Sequence, residues 1–70
     1  MERQRVASSV IRTVGHDPAT RVLEVEFRTG RVYRYFRVPR SEFEAIVSAE
    51  SAGSYFNRVI RRRYRWAKVR

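Results

Sequence analysis

The chain has no cysteine and a single histidine, His16. Disulfides and thiolate metal sites are thereby excluded, and a reducing, cytoplasmic setting fits better than secretion. One histidine cannot assemble a transition-metal site without carboxylates gathered from elsewhere. Ser8, Ser9, Ser41, Ser51 and Ser54 have no second histidine to activate them. There is no phosphate-binding glycine loop. Glu42 and Glu44 stand two apart on an expected helix, point to different sides, and form no carboxylate pair. The chain is therefore not expected to be an enzyme, with no catalytic, metal or cofactor residues to name. No apolar run approaches the roughly 20 residues a membrane span needs, and the apolar side of the second expected helix is needed for the core, so no membrane association is expected. Arg3 to Val14 is poor in acids and contains serine, as transit peptides are, but a strand begins within it.

Acids are also missing from one end. Net charge is +9, yet every acidic residue lies at or before Glu50. After it come Arg58, Arg61, Arg62, Arg63, Arg65, Lys68 and Arg70, so the last 20 residues carry +7. Codon bias explains why arginine outnumbers lysine. It does not explain why the acids stop. A field polarised in this way favours an anionic partner and speeds encounter with it.

What is present suffices for one small domain of 70 residues with 43% hydrophobic content and nine aromatic residues. Val10 to Val14 is β-prone and is expected to end at Gly15, with His16-Asp17-Pro18-Ala19-Thr20 as a turn. Arg21 to Phe27 alternates with period two, placing Leu23, Val25 and Phe27 on one face. Arg31 to Phe36 is its hairpin partner. A two-residue turn at Thr29-Gly30 drives Arg34 into the core. A three-residue loop, Arg28-Thr29-Gly30, with Gly30 left-handed, instead sets Tyr33 and Tyr35 beside the apolar face and Glu24 across from Arg34. The second register buries better and is preferred.

Ser41 with Glu44 reads as a capping box opening a helix to Ala49, with Ser51-Ala52-Gly53 as a break. A second helix is expected from Ser54 to Arg62. Tyr55, Phe56, Val59 and Ile60 form its apolar stripe, and Arg58, Arg61, Arg62 and Arg65 fall on the opposite arc. Asn57, near the apolar edge, reads as structural. Tyr64, Trp66 and Val69 then alternate with Arg65 and Lys68 in an extended tail. The expected fold is α+β, a three-stranded antiparallel β-meander followed by two short helices packed on one face.

This order, and the residues on it, resemble the KTSC family, which takes its name from the C-terminus of some lysyl-tRNA synthetases. The resemblance is carried by Ser8-Ser9, Gly15, Asp17-Pro18, Leu23 to Phe27, Gly30, Val32-Tyr33-Arg34-Tyr35-Phe36, Val38-Pro39, Ser51, Gly53, Tyr55-Phe56-Asn57, Ile60-Arg61 and Arg63-Tyr64. It runs from about Ser8 to Val69, so residues 1–7 read as an N-terminal extension and 8–70 as the domain. His16, Ala52, Arg62 and Arg65-Trp66 depart from the usual pattern, in which Arg62 is often glycine. The resemblance implies the fold and points to RNA.

The expected function is a small basic nucleic-acid-binding module, with RNA favoured over DNA, acting as a monomer. Phosphate contacts are expected from Arg58, Arg61, Arg62 and Arg65, with Lys68 and Arg34 beside them and Trp66 as a stacking face. Tyr33 and Tyr35 are expected in the core. The alternative is a protein-interaction module that docks on an acidic partner surface.

Overall fold

The computed structural model describes all residues, Met1–Arg70. Five strands form one antiparallel sheet in chain order: β1 (Arg3–Arg5), β2 (Ile11–Asp17), β3 (Val22–Phe27), β4 (Val32–Tyr35) and β5 (Trp66–Lys68). Between β4 and β5 lie α1 (Arg40–Ser48) and a C-terminal helix. That helix starts as α2 (Ala52–Tyr55), passes through a π turn (Phe56–Ile60) and ends as α3 (Arg61–Arg63). The α+β class and the central meander stand. The expected count of three strands is corrected to five, because a short strand from each terminus pairs onto an edge of the meander.

The hairpin adopts the three-residue loop. Phe27 N–H donates to Arg31 O at 2.8 Å, Gly30 N–H donates to Phe27 O at 2.9 Å, and Gly30 has φ of 96°. The pairs are Leu23 with Tyr35, Glu24 with Arg34, and Val25 with Tyr33. A one-residue slip would put Arg34 in the core, so burial selects the register.

β2 runs further than its sequence suggests, through Gly15 and His16 to Asp17. Gly15 does not end it. A Cβ at Gly15 would lie 2.7 Å from the carbonyl oxygen of Glu2, so glycine there admits the close approach of the N-terminal segment. The register of β2 against β3 shifts between Ile11 and Thr13. This bulge lets Ile11 and Val14, three apart, both face the core. His16 belongs to the same face rather than to a turn. It is buried, its ring stacks on Phe43 at 5.8 Å, and its Nε2 lies 2.7 Å from Val38 O, which requires the proton on Nε2.

Both helices cover this face. Ile11, Val14, Leu23, Val25 and Tyr35 of the sheet meet Phe43, Ile46, Ala52, Phe56 and Ile60 in one cluster. The expected capping box does not form. α1 begins two residues earlier with Pro39 at its N-cap and no side-chain cap, and Glu44 pairs with Arg40 at 3.5 Å instead. The second helix is capped by Ser51, whose Oγ accepts from Ser54 N–H at 3.2 Å.

Candidate nucleic-acid interface

Main-chain geometry first splits the expected arginine arc. Arg61 N–H bonds to Phe56 O, five residues back, which is the π-helical pattern. The turn holds one residue more than an α-helix allows, so positions beyond it no longer follow a 100° step. Arg63 is exposed at the helix end and reaches Glu42 at 3.5 Å. Tyr64 leaves the helix in extended backbone, which carries Arg65 and Trp66 away from the helical face.

The structure thus distributes the expected residues over several surfaces. Arg61 and Trp66 meet at a cleft of about 400 Å³ between the C-terminal helix and the sheet. Phe27, Tyr33, Tyr35 and Phe56 supply the rest of its aromatic wall, and Arg31 and Asn57 supply polar groups. Arg58 and Arg62 line a separate shallow groove with Val59 and Arg63. Arg65 lines another with Phe36, Arg37 and Tyr64. Lys68 lies opposite Tyr33 in the β4–β5 pairing, on the same sheet face as Trp66. Arg34 is elsewhere, on the outer sheet face, where its Nε donates to Glu24 Oε2 at 2.8 Å.

Within the cleft the aromatic rings hold one another. Phe27 meets Tyr33 edge-on at 5.7 Å, and Phe56 meets Phe27 at 5.5 Å and Tyr35 at 5.3 Å. Tyr35 is buried, as expected for a core tyrosine, whereas Tyr33 is half-buried and faces the cleft wall. Burial pushes the Tyr35 phenol up to about 12, the neighbouring Tyr33 adds to this, and Arg61 works against it. Trp66 lies over Tyr33 at 5.3 Å yet keeps 55% of its surface exposed. A buried core aromatic would not leave so much of its ring in water.

Asn57 was read as structural from sequence. It is exposed, its side chain makes no hydrogen bond within the chain, and it lines the aromatic cleft. It also borders a neighbouring hydroxyl-rich groove formed by Ser8, Ser9, Ser51 and Ser54. Arg31 was missed as well. Neither has a sequence signal apart from the hairpin register that brings Arg31 towards the helix.

Four of the seven acids, Glu24, Glu26, Glu42 and Glu44, pair with arginines of the chain. Glu24 is buried on the outer face between Arg3 and Arg34, and Glu26 pairs with Arg3 at 3.6 Å. Burial raises the Glu24 carboxyl, but hydrogen bonds from Arg34 and Arg3 outweigh it and leave the pKa below the usual value. Glu42 is held by Tyr55, Tyr64 and Arg63. By contrast Arg58, Arg61, Arg62, Arg65 and Lys68 enter no ion pair within the chain. No three His, Cys, Asp or Glu side chains gather as a metal site, and no helix is long and apolar enough to cross a membrane.

Known proteins share this architecture and sequence. A KTSC domain protein from Yersinia pestis, solved by crystallography, has a TM-score of 0.92 at 38% identity, covering 99% of this chain and 97% of that one. An uncharacterized protein of Stutzerimonas stutzeri is 40% identical over 70 residues, 99% of each chain. A lysine–tRNA ligase of Nostoc punctiforme is 36% identical over 61 residues, which make up 87% of this chain and 11% of the ligase. The KTSC domain itself matches residues 7–64, from just before β2 to the end of the C-terminal helix. The chain belongs to the KTSC domain family.

Proposed function

We propose that this domain binds RNA through an unpaired base held in the aromatic cleft and phosphates held by the arginines around it. The observation that carries the reading is the cleft of about 400 Å³, walled by aromatic rings and edged by Arg31 and Arg61. Its half-exposed Trp66 offers a flat face, and stacking a base on such a ring contributes about 1–3 kcal/mol. Arg61 and Arg31 suit the phosphates on either side, since a guanidinium presents forked donors to two oxygens. Arg58, Arg62, Arg65 and Lys68 extend the positive field without competing carboxylates. A related segment forms part of proteins named as lysine–tRNA ligases, which favours RNA over DNA. Asn57 is placed to hydrogen-bond a base edge or a ribose.

Trp66 is the sole tryptophan, so its fluorescence reports on the cleft directly. Single-stranded RNA is expected to quench it and to raise the anisotropy of a labelled oligonucleotide. Binding should weaken by orders of magnitude between about 50 and 200 mM salt if several phosphates are neutralised. Absence of binding to both RNA and DNA at the lower salt sinks the reading and leaves an acidic protein surface as the partner to test.

A further inference from the structure

A second basic cluster lies away from the aromatic cleft and is assembled from three distant parts of the chain. Arg5 ends β1, Arg12 sits at the bulge of β2, and Arg28 opens the loop between β3 and β4. Together with Val6 they line a groove of about 270 Å³. All three arginines are exposed, and none enters an ion pair within the chain.

Each is brought there by a definite device. Arg5 pairs with Thr13 across β1 and β2, one residue from Arg12. Arg12 is the unpaired residue of the bulge, so it escapes the alternation that would otherwise fix its face. Arg28 is anchored twice, its main-chain N–H to Val10 O at 2.8 Å and its Nε to Ser8 O at 3.1 Å. With Nε used, the terminal guanidinium nitrogens still have donors for an outside acceptor. The acid nearest in register, Glu26, is occupied by Thr13 Oγ1 at 2.9 Å and by Arg3.

Guanidinium groups held together without a carboxylate repel one another, and an oxyanion relieves that repulsion. The groove has one apolar lining residue, so it lacks the walls a base requires. We infer that Arg5, Arg12 and Arg28 form a binding site for a single phosphate group, either a backbone phosphodiester or a terminal phosphate monoester. It is separate from the aromatic cleft and does not depend on that cleft's reading.

The full chain, labelled with nitrogen-15, is titrated with inorganic phosphate and, separately, with chloride at matched ionic strength. Saturable shifts are expected at the Nε–H signals of Arg5, Arg12 and Arg28, with the Trp66 indole unmoved. Arg12→Gln, at an exposed bulge position, should keep the native spectrum and weaken phosphate binding about tenfold. Trp66→Ala tests the cleft and should leave phosphate binding unchanged, so failure of either reading shows separately. Shifts no larger than with chloride, equal shifts at Arg58 and Arg62, or undiminished affinity in Arg12→Gln overturn the proposal. Oligonucleotides with and without a 5′-phosphate then identify the source. Loss in Arg12→Gln confined to the phosphorylated strand supports the monoester, and equal loss with both supports the diester. No loss with either overturns the site as a nucleic-acid contact.

Discussion

The hydroxyl of Tyr64 donates to Oε2 of Glu42 across 2.9 Å, tying the exit of the C-terminal helix to the first turn of α1. Tyr55 donates to the other oxygen of the same carboxylate at 2.5 Å. Glu42 is buried, so these bonds replace water that the carboxylate has given up. The clasp sets where the chain leaves the helix, and hence where Trp66 and β5 can begin. Glu42→Ala is expected to lose about 2 kcal/mol by leaving two hydroxyl donors without their acceptor. In a domain of this size that lowers the melting temperature by roughly 10 °C. Glu42→Gln keeps an acceptor and should cost less; calorimetry of the two variants checks the order.

Gly15→Ala is expected to loosen β1 without unfolding the core. The new Cβ would meet the Glu2 carbonyl at 2.7 Å and Met1 Cγ at 3.1 Å, and backbone cannot yield there without moving the strand. Amide hydrogen exchange should quicken around Arg3–Arg5 while Val25 and Leu23 stay protected. Uniform quickening across the sheet would contradict this.

Alkaline pH should destabilise the fold through its tyrosines. The Tyr35 phenol is raised to about 12, chiefly by burial. Tyr55 is raised chiefly by its hydrogen bond to Glu42, and Tyr64 by burial and then by the same carboxylate. A raised folded pKa means the native state holds its proton after the unfolded chain has released it. The stabilisation is fully present below about pH 10 and is lost as pH rises towards 12. Phenolate absorbance during titration should show a last step near pH 12 that Tyr35→Phe removes.

Acid should act on the opposite sheet face. The folded Glu24 pKa lies below its ordinary value of 4.5, so its contribution is present above that pH and fades as pH falls through the folded pKa. Denaturant unfolding of Glu24→Gln should therefore show less stability at neutral pH and a flatter decline below pH 4.5 than the parent. Half-buried Asp17 also has a lowered pKa, from the Ala19 main-chain N–H and then Thr20, and remains as a background slope in both proteins.

Arg61 and Arg34 should separate in an RNA-binding assay although both are arginines facing a sheet. Arg61→Gln is expected to weaken binding and reduce the salt dependence by about one phosphate. Trp66→Ala should weaken it roughly tenfold through lost stacking. Arg34→Gln should leave affinity within about twofold, since its charge is already committed to Glu24, and lower stability instead. Equal effects at Arg34 and Arg61 would place the interface on the wrong face.

Much of the fold was legible because it rests on local chemistry. Alternation from Leu23 to Phe27, the turn preference of Gly30, and the burial cost of Arg34 together specify the hairpin register. Spacing of Phe56 and Ile60 marks the buried side of the C-terminal helix, and composition alone shows where the acids end. The edge strands were not legible. Arg3–Arg5 and Trp66–Lys68 are three residues each, with no buried residue among them, and are extended only because a neighbouring strand offers hydrogen bonds. Gly15 was the one local sign of β1, and it reads equally well as a strand end until the approaching carbonyl is seen. The arrangement of the arginines was decided at the tertiary level too. A single extra residue in the π turn changes the helical phase, and the Glu42 clasp turns the chain out at Tyr64. Sequence by itself determined that this domain is basic, α+β and built on a tyrosine-bearing hairpin. Tertiary structure decided that Arg61 and Trp66 share a cleft while Arg34 lies behind the sheet, because long-range pairing, not local propensity, sets which faces meet.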